Sequence, residues 1–340
     1  MKTRSFIVSG APHIHENSSI HKIMWNVFAA LIPASFVSVY AFGMDSVRVL
    51  GVSVISCIVL EIIALLFMGR NWKAAFDGSA AVTGLLLGLT LPAGISTGII
   101  LVGAVVAIII AKQVFGGLGN NPFNPALTSR VFLLIAFPGP LTTWPLPRGL
   151  ENIKDFMGVA TVKAGDAITT ATPLGAIKEN AVKAMPSIQV NDLFLGVHTP
   201  GSIGEISALA LLIGAAWLLY KKIITWHIPV ATILTVFAIS LLTHLISPDK
   251  YADPFFHLFA GGLIIGAFFM ATDYVTAPIF NKGKLIYGVG IGILTIIIRL
   301  WGGYPEGVSF AILLMNSTTP LIDRFTVPRP FGFRKARNQS

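Results

Sequence analysis

Long apolar blocks alternate with short polar or Pro/Gly-rich breaks along most of the chain. A helix needs about 20 apolar residues to cover the roughly 30 Å of hydrocarbon in a bilayer, because each residue rises ~1.5 Å. Ten blocks approach this length, five before and five after a long polar stretch: 24–42, 47–67, 79–95, 97–112, 124–140, 204–220, 223–246, 256–272, 285–300 and 306–323. The pattern predicts an all-α polytopic membrane protein with about ten transmembrane helices.

The third and fifth blocks are short and interrupted. Pro92 and Gly94 break one, and Pro122 and Pro125 break the other. Backbone groups freed at such breaks need partners inside the protein, so these blocks predict half-helices or re-entrant segments.

An odd number of blocks in each half means that the halves enter the membrane from opposite sides. A repeat between them would therefore be inverted. Gly84 and Gly88 correspond to Gly262 and Gly266, and Gly116–Gly117 corresponds to Gly302–Gly303. Glycines four residues apart are also ordinary helix-packing signals in membranes. The equal block count is thus the main support for two inverted five-span repeats.

Composition agrees with a membrane protein, since 54% of the residues are hydrophobic, 11% are charged and the mean hydropathy is +0.78. The net charge of +9 raises the question of a nucleic-acid partner. If the N-terminus is cytoplasmic, the short outer loops contain only Arg48 and Lys250. The inner segments then contain Lys2, Arg4, Lys22, Arg70, Lys73, Lys112, Lys221, Lys222, Lys282, Lys284, Arg324, Arg329, Arg334, Lys335 and Arg337. This positive-inside distribution explains the charge, predicts two cytoplasmic termini and requires no nucleic acid.

The predicted orientation divides the chain into five parts. These are a cytoplasmic N-terminal segment (1–23), the first repeat (24–140), an extracytoplasmic loop (141–203), the second repeat (204–323) and a basic cytoplasmic tail (324–340). The basic residues of the loop do not contradict its placement, because segments of about 60 residues translocate largely regardless of charge. The N-terminal segment is not expected to be a cleavable signal peptide, since the block after it has span length.

Few residues in the blocks offer metal or ion chemistry. The single cysteine, Cys57, excludes a disulfide framework and a cysteine-ligated cluster within this chain. His227 and His244 are too far apart to share a metal, and we predict no metal site. Glu61 lies deep in the second block and is the best candidate for a proton or sodium relay, although a Glu paired with a polar neighbour is equally compatible. Four further ionisable residues lie near block ends, where snorkelling is the ordinary outcome: Lys112, Arg130, Asp273 and Arg299.

A glycine- and asparagine-rich string follows the fourth block. Gly116 and Gly117 permit unusual dihedral angles, while Asn121 and Asn124 supply donors and acceptors. Such backbone persists at membrane depth only when it is buried or lines a polar site, so a structural kink and an ion or cofactor pathway are both open. Asp77 and Ser79, at the start of the third block, are more simply explained as helix caps than as pathway residues.

The long loop contains the string Asp166-Ala-Ile-Thr-Thr-Ala-Thr172-Pro-Leu-Gly. By residue chemistry alone it is a hydroxyl-rich turn, in which Asp166 caps the backbone and Pro173 ends a preceding helix. It also resembles the Asp-x-x-Thr/Ser-x-Ala-Thr signature on which a transferase attaches FMN through its phosphate to the last threonine. The resemblance implies covalent FMN on Thr172, with an attachment motif of Asp166, Thr169, Thr170 and Ala171. Many such signatures have Gly where this chain has Thr170, which leaves Thr170 and Thr169 as less favoured acceptors.

Three more strings carry a family resemblance. Asp77-Gly-Ser-Ala with the following Val82 to Pro92, Lys112-Gln-Val-Phe-Gly-Gly-Leu-Gly-Asn-Asn-Pro-Phe-Asn-Pro-Ala126, and Pro12-His-Ile-His15 resemble the RnfD/NqrB family of membrane subunits. The resemblance covers nearly the whole chain. Only about 22 residues precede the first block, which favours the RnfD branch over NqrB subunits with their longer N-terminal extension.

The resemblance implies a subunit of an ion-translocating ferredoxin:NAD oxidoreductase complex in the bacterial inner membrane. Electrons would pass through the covalent FMN, coupled to Na⁺ or H⁺ movement, and a second non-covalent flavin (riboflavin or FMN) is an option. Partner subunits would supply iron–sulfur centres, a second covalent flavin and the NAD site, and a flavin transferase would mature the chain. The alternatives are an NqrB-type subunit of a sodium-pumping NADH:quinone oxidoreductase, a secondary transporter or channel with inverted repeats, and a structural scaffold.

Overall fold

A computed structural model describes residues 19–147, 169–170, 172–180, 190–195, 200–248 and 250–328. Two residues of the predicted attachment motif, Asp166 and Ala171, lie outside these ranges, as do most of the N-terminal segment and of the basic tail.

The first half of the chain is helical. Ser19 accepts a hydrogen bond from the Lys22 amide at the start of the first helix, and Asn124 caps the fifth, where Pro125 occupies the first turn. A 3₁₀ turn, Trp72–Asp77, precedes the third helix, and a π-helix, Val106–Gln113, continues the fourth. The helices are α1 (Ile20–Phe42), α2 (Met44–Phe67), α3 (Ser79–Leu89), α4 (Thr97–Val105), α5 (Pro125–Ala136) and α6 (Pro138–Thr142).

The middle and the second half of the chain are also mainly helical. Two short strands, β1 (Trp144–Pro145) and β2 (Thr169–Thr170), pair antiparallel. The helices are α7 (Pro173–Asn180), α8 (Val190–Leu195), α9 (Ala208–Tyr220), α10 (His227–Ile246), α11 (Pro254–Phe259), α12 (Leu263–Ile265), α13 (Asn281–Trp301) and α14 (Val308–Thr326). A π-helix, Gly266–Met270, continues α12.

Every predicted apolar block contains a helix. Within the described residues, α1, α2, α10 and α13 are long and apolar enough to cross a bilayer alone, and α3, α4 with its π extension, α5 and α9 are shorter apolar helices. Large apolar side chains on the outer faces are exposed, as expected where lipid is the solvent: Phe36, Ile55 and Leu242. A helical, polytopic membrane protein is therefore confirmed, whereas ten spans and an inverted repeat stay predictions.

The break after α3 follows the prediction. Helix α3 ends at Leu89, and the carbonyls of Leu89 and Leu91 accept hydrogen bonds from the amides of Gly204 (2.6 Å) and Ile203 (3.0 Å). Backbone from the second half thus satisfies carbonyl groups that the break leaves free.

The eighth block differs from the prediction of one span over 256–272. The helix stops after Phe259 and resumes at Leu263, and Gly261 between them has φ of +73°. A left-handed backbone of this kind favours glycine, which ends α11 inside an otherwise apolar block.

The two glycine pairs proposed to correspond do not share a conformation. Gly116 and Gly117 have φ of 110° and 96°, whereas Gly302 has φ of −76°. The unusual backbone expected at Gly116 and Gly117 is confirmed, and the pair lends no support to the repeat.

Helices α1 and α9 pack backbone to backbone at Gly214. A Cβ atom added there would overlap the carbonyl oxygen of Ala30. We expect Gly214→Ala to lower the free energy of unfolding by ~1–3 kcal/mol, because α1 and α9 must move apart. The matched control is Gly98→Ala in α4, where an added Cβ meets nothing within 4 Å. Thermal unfolding in detergent tests both; equal melting temperatures for the two variants would contradict the prediction.

Candidate functional site

Thr172 stands immediately before α7 and caps it. Its Oγ1 accepts a hydrogen bond from the amide of Gly175 (3.1 Å), and its carbonyl accepts one from the amide of Ala176 (2.9 Å). Pro173 begins α7, where its missing N–H group is no loss, so the expectation that Pro173 ends a preceding helix was wrong. The Thr172 hydroxyl therefore lies at a helix N-terminus, where free amides and the helix dipole favour an anion.

A cavity of about 370 Å³ opens beside Thr172. Both halves of the chain line it, since its wall includes the end of α3, α5, the start of α7, the segment before α9, the α11–α12 break and the segment before α14. Its apolar wall includes Leu134, Leu141, Trp144, Leu174, Phe259 and Tyr304, and its polar wall includes Thr90, Arg130, Glu205 and Glu306.

Arg130 and Glu205 form a buried ion pair in this wall. Nη1 of Arg130 lies 3.6 Å from Oε1 of Glu205, and each side chain is 9% exposed. This separation is longer than the ~2.7–2.9 Å of a charge-assisted hydrogen bond. Among the described residues, Oε1 of Glu205 accepts no hydrogen bond. The two charges are thus close enough to balance each other, but they are not joined by a short hydrogen bond.

A second ion pair, Arg299 with Glu306, stabilises the break between α11 and α12. Arg299 donates to the carbonyls of His257 (2.6 Å) and Ala260 (3.0 Å) and to Oε1 of Glu306 (3.1 Å). Oε2 of Glu306 accepts a hydrogen bond from the amide of Gly262 (2.8 Å). Arg299 thus donates to carbonyls at the end of α11, where a helix favours a cation. Glu306 accepts from the amide just before α12, where a helix favours an anion.

These contacts correct the expectation that block-end cations snorkel. The side chain of Arg299 is 1% exposed and that of Arg130 is 9% exposed, because each finds a carboxylate inside the protein. Asp273 is half-buried and lines a different cavity, described below.

Lys178 fixes α7 against the second half of the chain. Its Nζ donates to the carbonyls of Tyr304 (2.6 Å) and Ile298 (3.4 Å) at the end of α13 and just beyond it. Partial burial lowers the pKa of the Lys178 ammonium. Because Thr172 caps the same helix, this contact also sets where the threonine stands relative to the cavity.

A second polar cluster joins α2, α3 and the π-helix after α4. Nζ of Lys112 donates to both carboxylate oxygens of Glu61 (2.7 and 2.6 Å) and to Oγ of Ser79 (2.7 Å), and Nε2 of Gln113 lies 3.2 Å from Glu61. Oδ1 of Asp77 accepts hydrogen bonds from the amide (2.7 Å) and hydroxyl (2.6 Å) of Ser79, the first residue of α3. The N-cap residue itself is Gly78, not Asp77 or Ser79 as expected. Three predicted site residues, Glu61, Asp77 and Ser79, are therefore brought together.

Lys112 was missed as a member of this cluster. The sequence predicts that Lys112 snorkels, but its side chain is 1% exposed because Glu61 and Ser79 bind the ammonium inside the protein. Its position at the end of an apolar block gave no sign of a carboxylate 51 positions earlier.

The glycine- and asparagine-rich string has structural partners. The carbonyl of Gly116 accepts a hydrogen bond from Arg70 (2.8 Å), and Nδ2 of Asn121 donates to the carbonyl of Phe123 (3.0 Å). Oδ1 of Asn124 caps α5, and its Nδ2 donates to the carbonyl of Met270 (3.2 Å). Asn121 and Asn124 also line a small cavity of about 80 Å³, together with Ser79, Lys112 and Asp273. Gly116 and Gly117 are not among its lining residues.

Comparison with known proteins identifies the family to which this chain belongs. The model of the NQR2, RnfD, RnfE family matches residues 7–332. The D subunit of the Na(+)-translocating ferredoxin:NAD(+) oxidoreductase complex of Acetobacterium woodii is 43% identical, over 100% of this chain and 99% of its own length. The D subunit of the proton-translocating ferredoxin:NAD(+) oxidoreductase complex of Clostridium ljungdahlii is 41% identical, over 98% of each chain. The D subunit of the ion-translocating oxidoreductase complex of Stutzerimonas stutzeri is 42% identical, over 95% of this chain and 94% of its own. The chain belongs to the NQR2, RnfD, RnfE family.

Proposed function

We propose that this chain is a membrane subunit of an ion-translocating ferredoxin:NAD oxidoreductase complex and carries an FMN joined through its phosphate to Thr172. The full-length similarity to the D subunits of such complexes supports the first part. One observation supports the second: the Thr172 hydroxyl stands at the N-terminus of α7 and lines a cavity of about 370 Å³.

The residues around Thr172 suit both ends of an FMN. A phosphoester on Oγ1 would stand where the Gly175 amide already donates, at a helix end that favours phosphate. The cavity lies within the roughly 300–1,000 Å³ of ligand sites and combines aromatic walls with a few charged groups. The flavin would supply the redox chemistry, while this chain supplies position and electrostatics.

The proposal includes a location and partners. The loop that carries Thr172 faces the extracytoplasmic side of a bacterial inner membrane, and both termini are cytoplasmic. A covalent bond keeps the flavin there, because it makes binding an intramolecular event. Other Rnf subunits supply iron–sulfur centres, a second covalent flavin and the NAD site, and a flavin transferase attaches the FMN.

We assign no cavity of the described residues to a second, non-covalent flavin. The cavity beside Ser79, Asn121 and Asn124 offers suitable donors and acceptors. Its volume of about 80 Å³, however, is well below the roughly 300 Å³ at which ligand sites begin. A riboflavin or FMN there would require the surrounding helices to separate.

The cluster of Glu61, Lys112 and Ser79 is the proposed ion-responsive element. A buried carboxylate in a membrane helix persists when it is paired, and Lys112 pairs it here. A proton would neutralise Glu61, and Na⁺ would replace the Lys112 ammonium at the same oxygens. The pair therefore suits either ion, and the relatives' names include both.

Peptide mass spectrometry of the chain, co-produced with a flavin transferase, tests the proposal. We expect a fluorescent band near 36.3 kDa on a denaturing gel and an FMN mass on the peptide that contains Thr172. A known acceptor protein, flavinylated in the same cells, is the control. A dark band beside a fluorescent control, with substrate flux through the isolated chain, would instead favour a secondary transporter.

A further inference from the structure

We infer that Arg130 raises the reduction potential of the flavin on Thr172, and that Glu205 opposes it. The inference rests on the proposed function, because it needs a flavin in the cavity. It assigns to two residues of this chain a role that the attachment motif does not contain.

Arg130 is placed to act on a ligand of this cavity. It lies in the middle of α5, it is nine-tenths buried, and it is the only cation among the described residues that line the cavity with Thr172. Its guanidinium carries five N–H donors, and in the described part of the chain its closest charged partner is Glu205 at 3.6 Å. Since no described residue accepts a hydrogen bond from Arg130, its donors are available to a ligand as far as that part of the chain is concerned.

The remaining charged residue that lines the cavity, Glu306, is already compensated. Arg299 donates to Glu306 at 3.1 Å and to two backbone carbonyls, and Glu306 also accepts from Gly262. The loosely paired charges that face the cavity are thus Arg130 and Glu205. Their separation exceeds that of a hydrogen-bonded pair, so Arg130 can turn toward a new acceptor without breaking a short bond.

The sign of the effect follows from the charge of the reduced ring. Reduction of an isoalloxazine by two electrons with one proton leaves a negative charge on its pyrimidine edge. A fixed cation favours the charged, reduced form and raises the potential, whereas a carboxylate lowers it. Both effects are large in this wall, because charges that are nine-tenths buried are weakly screened.

The diagnostic variants are Glu205→Gln and the double variant Arg130→Met with Glu205→Gln. Arg130→Met alone is avoided, because it would leave Glu205 buried without a cation, and uptake of a proton would cancel the change in charge. The amide of Glu205→Gln keeps the shape of the side chain and leaves Arg130 charged. The double variant then removes only the Arg130 charge relative to Glu205→Gln.

Spectroelectrochemical titration of the flavinylated chain measures the effect. We expect Glu205→Gln to shift the equilibrium about tenfold toward reduced flavin, which is ~30 mV for a two-electron couple, and the double variant to reverse that shift. The control is Arg48→Met. Arg48 contacts the carbonyl of Ala93 and Asp45 and does not line the cavity, so the potential should not change.

Covalent flavin is quantified by in-gel fluorescence before each titration. Wild type without covalent flavin overturns both the inference and the proposed function. Normal flavin content with an unchanged potential in Glu205→Gln overturns the inference alone. If the double variant does not fold, Glu205→Gln still decides, because its potential must rise.

Discussion

Thr172→Ala should remove all covalent flavin from the chain and leave membrane insertion intact. The substitution deletes the hydroxyl that would form the phosphoester, while the apolar helices that direct insertion are unchanged. It also deletes the cap of α7, because Oγ1 accepts the Gly175 amide, and loss of such a cap costs ~1 kcal/mol. In-gel fluorescence and peptide mass spectrometry measure the flavin, and the membrane fraction measures insertion.

The neighbouring threonines provide matched controls. Thr172→Ser keeps a hydroxyl and a helix cap, so the flavin transferase has an acceptor of the same chemistry in the same place. Thr170→Ala removes a less favoured acceptor at the variable position of the attachment motif and should leave the flavin content unchanged. Flavin at the wild-type level in Thr172→Ala would refute the assignment.

Lys112→Met should cause the largest loss of stability among the substitutions proposed for this protein. It leaves the Glu61 carboxylate buried without its cation, and breaking one side of a buried ion pair typically costs ~3–5 kcal/mol. Ser79 loses a hydrogen-bond partner at the same time. We expect a clear fall in the melting temperature in detergent and a smaller amount of chain in the membrane.

A double-mutant cycle separates the charge effect from the loss of packing. Lys112→Met combined with Glu61→Gln leaves no charge unpaired at this site, and it should recover most of the stability lost in Lys112→Met. Equal melting temperatures for wild type and Lys112→Met would mean that Glu61 does not need the ammonium, and would remove the basis for an ion-responsive pair.

The helices were predictable because the thickness of a bilayer imposes the length of apolar blocks on the sequence. The interruption after α3 was also visible, since Pro92 and Gly94 stand in the sequence where the helix is broken. The break at Gly261 was not, because one glycine in an apolar block is common and the pair that stabilises the break comes from Arg299 and Glu306, about 40 positions later. Contacts of that range leave no periodic pattern in one sequence.

The candidate site, like the fold, could be predicted from the sequence only in part. Thr172 could be named as a candidate from a short motif of adjacent residues, and its flavin stays a prediction. Arg130 and Glu205 are 75 positions apart, and snorkelling depends only on where a side chain lies along its own helix. The cation instead met a carboxylate from the second half of the chain. Only the packing of the two halves reveals the cavity and its charges.

The close packing at Ala30 and Gly214 has a consequence for biogenesis. These residues are 184 positions apart, and a ribosome that adds ~5–20 residues per second needs about 10–40 s to make the intervening chain. During that interval, the small-residue face of α1 must wait in the bilayer, or beside an insertion chaperone, for a partner that has not yet been synthesised. The first half is therefore unable to complete its own folding, and the protein matures only after its second half has entered the membrane.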